Sequence, residues 1–520
     1  MDTRPMNEPL LSIAPDGRAY GVPTPEATEA EFRTLQAKAE AWRARSAQVV
    51  VVQGLGFVGT AMAAVVADAQ KADGSPAFHG VGIDLATPSA YWKVARIKEG
   101  VSPFPSPDPD METMLHRAVL EVGNLDATVA EEAYGLADVI VVDIPLDVAD
   151  RTVCDPTEIR LNLAPFEAAI RAIGRHMRAE ALVLVETTVP MGTTEQIVLP
   201  ILQEAFRQRG LPGSPLLAHA YERVMPGPRY VDSIRRFWRT FAGIDAPSSA
   251  RAQAFLEAIV ETENFPVRAL AQPTASELAK LLENSYRAAN IAFIHEWTLT
   301  AEELGINLFE VVDSIRVRKG THDNMRYPGF GVGGYCLTKD SLLAQWSLTH
   351  AFHNNLRLDV TLEALRINFE MPCHTLSLLK RMLGSFEGRT VAVCGLSYLA
   401  EVPDTRNTPT ELLVDELQAQ GARVLLHDPV TRRWPERPDF PVAENLEACL
   451  RQAEGVVLAI PHRAYLDLKP ETWLAHLKPG AVVVDAQNIL DDARAEALHA
   501  RGHRLFGVGK GHWRTKGFER

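Results

Sequence analysis

The sequence predicts an α/β fold in which two doubly wound parallel-sheet domains are joined by a central helical domain with one long helix. Short Val/Ile-rich runs alternate with helical segments from Gln48 onward, and the same alternation returns beyond Gly388. Such near-continuous apolar strands are typical of parallel sheets covered on both faces. Between the two regions, residues 273–320 read as a long helical stretch without proline after Pro273.

The predicted domain boundaries follow from changes in this pattern. A chain of 520 residues is too long for one hydrophobic core, so several domains are expected. The polar stretch before Gln48 carries one Ala-, Glu- and Arg-rich helix and is predicted to pack on the first domain. The predicted parts are an N-terminal extension at 1–46, a first α/β domain at 47–268, a central helical domain at 269–386, a second α/β domain at 387–510 and a tail at 511–520.

Charge and composition exclude several classes of function. A formal net charge of −13 gives no general attraction to nucleic acid or to anionic lipid, so an anionic substrate would need locally placed Arg and Lys. No apolar run approaches the roughly 18 residues that span a bilayer, and the N-terminus lacks a signal-peptide pattern. We therefore expect a cytoplasmic protein without a membrane or nucleic-acid partner.

The cysteines argue against a metal site. They are scattered without CxxC spacing, which speaks against both zinc and a disulfide framework and favours a reducing compartment. Four are predicted to be small core residues, and one, Cys336, is not explained by packing. The five are Cys154, Cys336, Cys373, Cys394 and Cys449.

A glycine motif follows the first apolar strand. Gly54, Gly56 and Gly59 form GxGxxG, with Phe57 and Val58 between the second and third glycines, directly before an Ala-rich helix. The first glycine permits a tight turn, the second lets a pyrophosphate approach the backbone, and the third lets helix and strand pack closely. The motif predicts a Rossmann-like dinucleotide site with the phosphates at the helix N-terminus.

The next strand predicts which dinucleotide is bound. It ends in Asp84, a carboxylate placed to accept hydrogen bonds from a ribose and to repel a 2′-phosphate, so NAD is expected rather than NADP. The interval from Gly59 to Asp84 (84 − 59 = 25 residues) is longer than the usual ~20. The extra length falls in KADGSPAFHG, which we interpret as a loop insertion.

A second glycine-rich stretch, PGFGVGGYCLTKD at 328–340, surrounds Cys336. Its glycines permit positive φ angles and close approach of the backbone to a ligand. Cys336 stands at the predicted start of a helix, where unpaired N–H groups lower a thiol's pKa. This is the environment of a nucleophile.

Five motifs in order resemble those of the UDP-glucose/GDP-mannose dehydrogenase family, the NAD-dependent four-electron nucleotide-sugar dehydrogenases of polysaccharide biosynthesis. The resemblance runs from about residue 48 to about 490. The motifs are ETTVPMGTT, YERVMPG, ELAKLLENSYRAANIAFIHE, PGFGVGGYCLTKD and DTRNTP.

The resemblance implies a covalent mechanism. A nucleotide sugar's C6 alcohol is oxidised to a uronate, and Cys336 holds the intermediate as a thiohemiacetal and then as a thioester. Lys280 and Asn284, four apart on the central helix, would stabilise the developing alkoxide and contact the substrate.

The resemblance also assigns the hydrolytic step and the substrate contacts. Asp340 would position or activate water, Glu222 would act as general base and contact the substrate, and Thr188 would orient the water beside the cofactor.

The second α/β domain lacks GxGxxG and is expected to hold the substrate's nucleotide diphosphate. By resemblance, Arg406 contacts the diphosphate and Lys339 is a nearby cation. Arg223, Gly333 and Arg318 complete the expected substrate contacts, with Arg318 reaching from this or a neighbouring subunit. The central helices imply a homodimer or a higher homo-oligomer.

The sequence departs from the family pattern at positions expected to contact the nucleotide. Leu399 stands where a lysine is common, and Gln487 lies in the family's DxRN. Ile144–Asp147 replaces VPTP, and His295 replaces the asparagine of NE. The base and sugar of the substrate therefore stay open between a UDP-hexose and a UDP-N-acetylhexosamine, and the motif YERVMPG favours the latter.

Two alternatives remain at the level of sequence. One is a two-electron 3-hydroxyacid-type dehydrogenase, which would need neither Cys336 nor a second α/β domain. The other is a catalytically silent sugar-nucleotide binding protein. Counting NADH per substrate separates the alternatives from the four-electron hypothesis.

Overall fold

The computed structural model describes residues 10–104, 106–153, 155–225 and 227–520, which form two compact units. The first unit runs to Ala149 and takes up Arg160–Leu281 and Trp346–Asn355. The second comprises Asp150–Ile159, Leu282–Gln345 and Leu356–Arg520. The prediction for Cys154 lies outside the described residues.

An antiparallel hairpin of β1 (Leu11–Ile13) and β2 (Ala19–Gly21) precedes the sheet of the first unit. In spatial order the described strands of this sheet are β10-β9-β8-β7-β6-β3-β4-β5, and neighbours are parallel except β8 and β9. The sheet strands are β3 (Gln48–Gln53), β4 (Phe78–Ile83), β5 (Leu125–Thr128), β6 (Val139–Val142), β7 (Leu182–Val185), β8 (Leu216–His219), β9 (Arg239–Gly243) and β10 (Val267–Ala269).

The antiparallel step at one edge is an exception to the predicted parallel sheet. Strands β9 and β10 are parallel to each other and run opposite to the rest at one edge. A strand at the edge needs only one hydrogen-bonded neighbour, so reversing it leaves the central parallel pairs intact.

Both faces of this sheet are apolar, as the Val/Ile-rich runs predicted. Along β3, Val50 and Val52 join one buried cluster while Val49 and Val51 join the other. Strand side chains alternate between faces, so each valine run supplies both cores. Helix α1 (Pro25–Ala44) of the N-terminal extension contributes Leu35 to the second cluster.

Helices cover the two faces of the sheet. The further helices before residue 270 are α2 (Phe57–Asp68), α3 (Tyr91–Lys98), α4 (Pro109–His116), α5 (Ala164–His176), α6 (Leu199–Arg209), α7 (Asp232–Arg235) and α8 (Ala246–Ile259), with π-helical turns at Arg117–Val122 and Thr194–Val198 and a 3-10 helix at Glu131–Leu136.

The long helix α9 (Pro273–Glu303) is shorter than the predicted stretch to residue 320. The chain turns at Gly305, whose φ is +71°, before the next helix. A Cβ there would lie 2.5 Å from the Thr515 side chain, so the turn requires glycine. The helices that follow are α10 (Leu308–Arg316), α11 (Asp340–Trp346), α12 (Asp359–Leu383), α13 (Pro409–Ala419), α14 (Leu446–Gln452), α15 (Arg463–Leu466), α16 (Pro470–His476), α17 (Asp492–His499) and α18 (His512–Thr515), with a π-helical turn at Ser347–Ala351.

The sheet of the second unit is parallel at every described pairing, in the order β13-β12-β11-β14-β15-β16. Residues of the predicted tail, Trp513 and Phe518, are buried in the same core as Cys394 of its central strand. No helix in the described part of the chain is long and apolar enough to span a membrane. The strands are β11 (Thr390–Cys394), β12 (Arg423–His427), β13 (Val442–Ala443), β14 (Gly455–Leu458), β15 (Val482–Asp485) and β16 (Arg504–Gly507).

Candidate active site

The GxGxxG turn lies between β3 and α2 in the first unit. Gly54 has φ +90°, and a Cβ on it would lie 2.5 Å from the Asp143 carbonyl oxygen. A Cβ on Gly59 would lie 1.9 Å from the Gly54 carbonyl oxygen, so both positions demand glycine. Gly56 faces open space and caps α2 without a side-chain hydrogen bond, and Phe57 and Val58, both half-buried, begin the helix. The turn therefore leaves helix N–H groups accessible to a pyrophosphate.

Asp84 lies beside this turn, as predicted. Its carboxylate accepts the Leu55 N–H at 3.1 Å and the Leu85 N–H at 2.8 Å, and it forms an ion pair with Lys93. The glycine turn and the acid at the end of β4 are thus adjacent, which is the arrangement that holds an adenosine ribose and pyrophosphate. These residues fit NAD.

A buried acidic cluster lies at the carboxyl edge of the same sheet. Asp143 directly follows β6 and Glu186 directly follows β7, and Glu186 pairs with Arg239, both fully buried. Within the described residues neither carboxylate oxygen of Asp143 has a hydrogen-bond partner. Burial, with Glu186 and Glu222 nearby, raises the pKa of Asp143 well above its usual value. A protonated Asp143 can donate to Glu186, which satisfies both buried groups.

Two of the resemblance-derived motifs are joined by one side chain. Glu277 of α9 accepts the Gly192 N–H at 2.5 Å and the Thr194 N–H at 2.8 Å, and so fixes the segment that follows Thr188. Burial raises the pKa of Glu277 to about 7. Thr188 itself is buried, directly after Glu186 and Thr187 at the end of β7.

The structure brings Glu222 and Lys280 together in the first unit. Lys280 Nζ donates to the Glu222 carbonyl oxygen at 2.8 Å and lies 3.5 Å from its carboxylate. Both side chains are buried. Arg223, predicted to contact substrate, donates to the Tyr221 hydroxyl at 2.6 Å and to the Trp238 carbonyl.

The cysteine loop lies in the second unit and needs its glycines. A Cβ on Gly333 would lie 2.6 Å from Tyr398 Cβ and 2.8 Å from the Asn407 carbonyl oxygen. Gly334 has φ +86° and packs under the Tyr398 ring. The opening PGFGVGG is thus explained by close packing of two backbone segments.

Cys336 stands one turn before the helix rather than at its first residue. Helix α11 begins at Asp340, although the N–H groups of Lys339 and Asp340 already donate to the Cys336 carbonyl at 3.1 and 3.0 Å. The predicted helix start is therefore four residues too early. The thiol-bearing residue is half-buried.

Asp340 is the centre of a buried network beside Cys336. Asn284 Nδ2 donates to Asp340 Oδ2 at 2.6 Å, and Lys339 Nζ lies 2.9 Å from Asp340 Oδ1. Lys339 and Asp340 are almost fully buried. Two separately predicted site residues, Asn284 and Asp340, are thus directly bonded, while the ammonium of Lys339, predicted to contact substrate, is paired with Asp340.

Arg406 lies on the other side of the loop. Asp404 holds its guanidinium at 2.6 to 3.1 Å, and its side chain is partly exposed. The pKa of Tyr398 is raised to about 12, chiefly by burial, with Asp404 and Cys336 adding negative charge nearby. Burial of Arg406 works to lower its pKa, but Asp404 and Cys336 nearby raise it.

Sequence reasoning missed Arg151, Asp143 and Glu277. Arg151 belongs to the second unit although it follows β6 in the chain, and no sequence signal predicts this. For Asp143 a signal existed, since polar residues directly after parallel strands meet at one edge of the sheet. Arg318 is exposed after α10, and its predicted substrate contact stays a prediction.

Two of the other described cysteines match the prediction of core residues, and Cys373 does not. Cys394 and Cys449 are buried, and burial raises the pKa of both thiols. Cys373 is half-buried, and burial raises its pKa as well. Across the described ranges, no group of three or more His, Cys, Asp or Glu side chains could hold a metal ion.

Comparison with known proteins finds three domain models of one family in order. The NAD binding domain of the UDP-glucose/GDP-mannose dehydrogenase family matches residues 48–259, its central domain matches 274–369, and its UDP binding domain matches 392–492. The models span the GxGxxG turn and the glycine-rich loop that contains Cys336.

Individual relatives match over most of their length. The UDP-N-acetyl-D-mannosamine dehydrogenase of Methanocaldococcus jannaschii is 27% identical over 89% of this chain and 96% of its own. The NDP-N-acetyl-D-galactosaminuronic acid dehydrogenase of Ralstonia nicotianae is 29% identical over 86% of this chain and 98% of its own. A crystal structure of the enzyme of the latter name from Methanosarcina mazei Go1 superposes with a TM-score of 0.74 at 28% identity, over 92% of this chain and 98% of its own.

These matches confirm the predicted fold class, the NAD cofactor and the predicted family. The UDP binding domain model also speaks against the 3-hydroxyacid-type alternative, which needs no such domain. The chain belongs to the UDP-glucose/GDP-mannose dehydrogenase family and is an NAD-dependent oxidoreductase acting on nucleotide sugars.

Proposed function

We propose that this protein oxidises the C6 alcohol of a UDP-N-acetylhexosamine to the uronate in two NAD-dependent steps through a thioester on Cys336. The observation that carries the proposal is the buried network of Asn284, Asp340 and Lys339, which begins one turn after Cys336. A core cysteine needs no such polar surroundings, because burying charged groups is unfavourable unless they are paired.

The first unit would bind the oxidant and prepare the alcohol. The glycine turn at Gly54–Gly59 and the carboxylate of Asp84 would hold NAD, which when bound accepts the hydride from the sugar carbon. Lys280, buried against Glu222, would stabilise the alkoxide that forms as the alcohol loses its proton. The product of this step is an aldehyde.

The second step proceeds on Cys336. Its thiolate attacks the aldehyde carbon, a C–S bond forms, and the oxygen takes a proton to give a thiohemiacetal. The thiohemiacetal then loses its hydroxyl proton and a second hydride, which another NAD would accept, and becomes a thioester. The aldehyde is therefore covalently held and does not escape between the two oxidations.

Water then cleaves the C–S bond and returns the thiolate. Glu222 would take the proton from this water, Thr188 would orient it, and Asp340 would position it. Overall, one alcohol, one water and two NAD⁺ give one carboxylate, two NADH and three protons.

The NADH yield per limiting UDP-N-acetylmannosamine or UDP-N-acetylgalactosamine tests this function. Two NADH per uronate are expected, and one per substrate would support a two-electron enzyme. Binding of both ligands without any NADH would support a silent binding protein. Cys336→Ser is expected to keep NADH binding and to lose uronate formation, with Cys373→Ser as the matched control at wild-type activity.

We infer the preference for N-acetylhexosamines from the names of the relatives and from the motif YERVMPG. Arg406, partly exposed in the second unit, would meet the diphosphate. Leu399 is exposed where the family commonly has lysine. A panel of UDP-, GDP- and dTDP-sugars compared by kcat/KM tests this preference, and highest activity with UDP-glucose would contradict it.

We also propose a cytoplasmic homodimer built on the central helix. Along α9, Leu282, Tyr286, Phe293 and Trp297 are each more than half exposed, which is unusual for large apolar side chains on one helix. A second copy of the chain would cover them. Light scattering is expected to give a dimer or a higher oligomer and Trp297→Glu a smaller species; a wild-type monomer at working concentration would contradict the proposal.

A further inference from the structure

The cysteine loop has a partner from a distant part of the sequence. The segment Asp150–Ile159 follows β6 in the chain but belongs to the second unit. Within it, Arg151 Nη1 donates to the carbonyl oxygens of Tyr335 at 3.1 Å and Gly334 at 3.4 Å, and to the Thr338 hydroxyl. One guanidinium therefore bonds the chain on both sides of Cys336.

Thr338 strengthens this arrangement. Its hydroxyl donates to the Gly334 carbonyl oxygen at 2.8 Å, so Arg151, Thr338 and Gly334 bond to one another around the residues at 335–337. Asn407 Nδ2 donates to the same Gly334 carbonyl at 3.3 Å. The backbone that presents Cys336 is thus held by side chains of separate segments.

Three cationic side chains also lie around Tyr335, the residue before Cys336. The Tyr335 ring centroid lies 5.2 Å from Arg151 Cζ, 4.6 Å from Lys339 Nζ and 5.4 Å from Arg406 Cζ. Lys339 is paired with Asp340, as Arg406 is with Asp404. Cations near a thiol favour its ionised form.

We infer that Arg151 is a positioning residue for Cys336, which fixes the loop from 334 to 338 through Nη1 of its guanidinium and favours the thiolate through its charge. The inference rests on the proposed function, since that makes Cys336 the nucleophile. Arginine suits the task because its planar guanidinium holds this nitrogen in a fixed orientation, whereas lysine supplies the charge on a flexible stem. Charge and geometry can therefore be separated by substitution.

The test measures alkylation of Cys336 by iodoacetamide as a function of pH, with the peptide resolved by mass spectrometry and no substrate present. Arg151→Gln is expected to move the midpoint of the profile up by about one pH unit, which makes alkylation at neutral pH roughly tenfold slower. Arg151→Lys is expected to keep the midpoint while lowering kcat at unchanged KM for NAD. Arg451→Gln, exposed on α14, is the matched control with the wild-type profile.

An Arg151→Gln profile identical to that of the wild type would overturn the inference. Should that variant fail to fold, Arg151→Lys carries the test alone, and an unchanged kcat would overturn it. Failure of the proposed function has a different signature, because Cys336→Ser would then form uronate whatever the alkylation profiles of the Arg151 variants.

Discussion

Strands β3 and β11 each run into a glycine turn, but α2 begins directly after the first turn, at Phe57, whereas α13 begins only at Pro409. After β3, the turn at Gly54–Gly59 leaves helix N–H groups open, and Asp84 from the next strand accepts the single turn amide of Leu55. After β11, Asp428 from the next strand accepts the N–H groups of Leu396 at 2.7 Å and Ser397 at 2.9 Å.

The turns after β3 and β11 differ in which groups accept their N–H hydrogen bonds. In the second unit a buried carboxylate of the protein itself occupies the place of an anion, and the His462 ring lies 3.2 Å from it. Burial works to raise the pKa of Asp428, but hydrogen bonds from His462, Ser397 and Leu396 hold it well below its usual value. A phosphate at this turn would meet a buried carboxylate that accepts two turn amides, whereas at the first turn Asp84 accepts one.

The largest expected effect is that of Asp428→Asn. The carboxylate also accepts the N–H groups of Val430 and Thr431, and an amide nitrogen in place of one oxygen would oppose these donors. We expect a loss of about 3 kcal/mol in the free energy that protects β11 and β12 from hydrogen exchange. Asp84→Asn should lower protection of β3 and β4 by less than about 1 kcal/mol. Equal losses would break the comparison.

Gly56→Ala tests the open turn of the first unit. A Cβ at Gly56 meets nothing within 4 Å, so the change in stability should stay within about 0.5 kcal/mol. The same methyl group would obstruct the pyrophosphate, and NADH binding, followed by fluorescence, should weaken roughly tenfold, or about 1.4 kcal/mol. Gly21→Ala, also in open space, is the control; unchanged NADH affinity in Gly56→Ala would contradict this use of the turn.

Asp143→Asn tests the buried carboxylate of the first unit through the pH dependence of stability. Because the pKa of Asp143 is raised in the folded protein, that state binds more protons than the unfolded state between the usual carboxyl pKa and the raised one. Wild-type stability therefore falls as pH rises through this window, by up to about 1.4 kcal/mol per pH unit.

The asparagine variant lacks the contribution of Asp143 to this dependence, so the margin of its Tm over that of the wild type should widen with pH. Asp439→Asn, at an exposed position, is the control. A margin that is constant from acidic to neutral pH would show that Asp143 is ionised in the folded protein.

Much of this architecture could be predicted from the sequence because it rests on local signals. Valine runs predicted the central strands, and glycine spacing predicted the turn at Gly54, whereas the glycines before Cys336, predicted to admit a ligand, pack against Tyr398 and Asn407. The reversed strands β9 and β10 could not be predicted, since short edge strands carry the same apolar pattern in either direction. The contact of Arg151 with Tyr335 depends on long-range packing that no sequence period records.

The smallest expected effect is at the surface around Leu399, which we propose to face the nucleotide. Leu399 is exposed, and Leu399→Lys would restore a cation there. A solvent-exposed cation is worth up to about 1 kcal/mol toward an anion, so UDP should bind at most about fivefold more tightly by calorimetry. Leu399→Gln is the uncharged control, and equal affinity of the two variants would show that this position does not face the diphosphate.

The most direct test of the account is to trap the acyl group. Glu222→Gln removes the base proposed to serve hydrolysis. Enzyme mixed with excess NAD and UDP-N-acetylmannosamine, then acid-quenched and digested, should therefore carry an acyl group on the Cys336 peptide that hydroxylamine removes. Two NADH should form per enzyme in the first turnover. Uronate formation at the wild-type rate with no acyl group on Cys336, or an acyl group on another cysteine, would contradict the covalent mechanism.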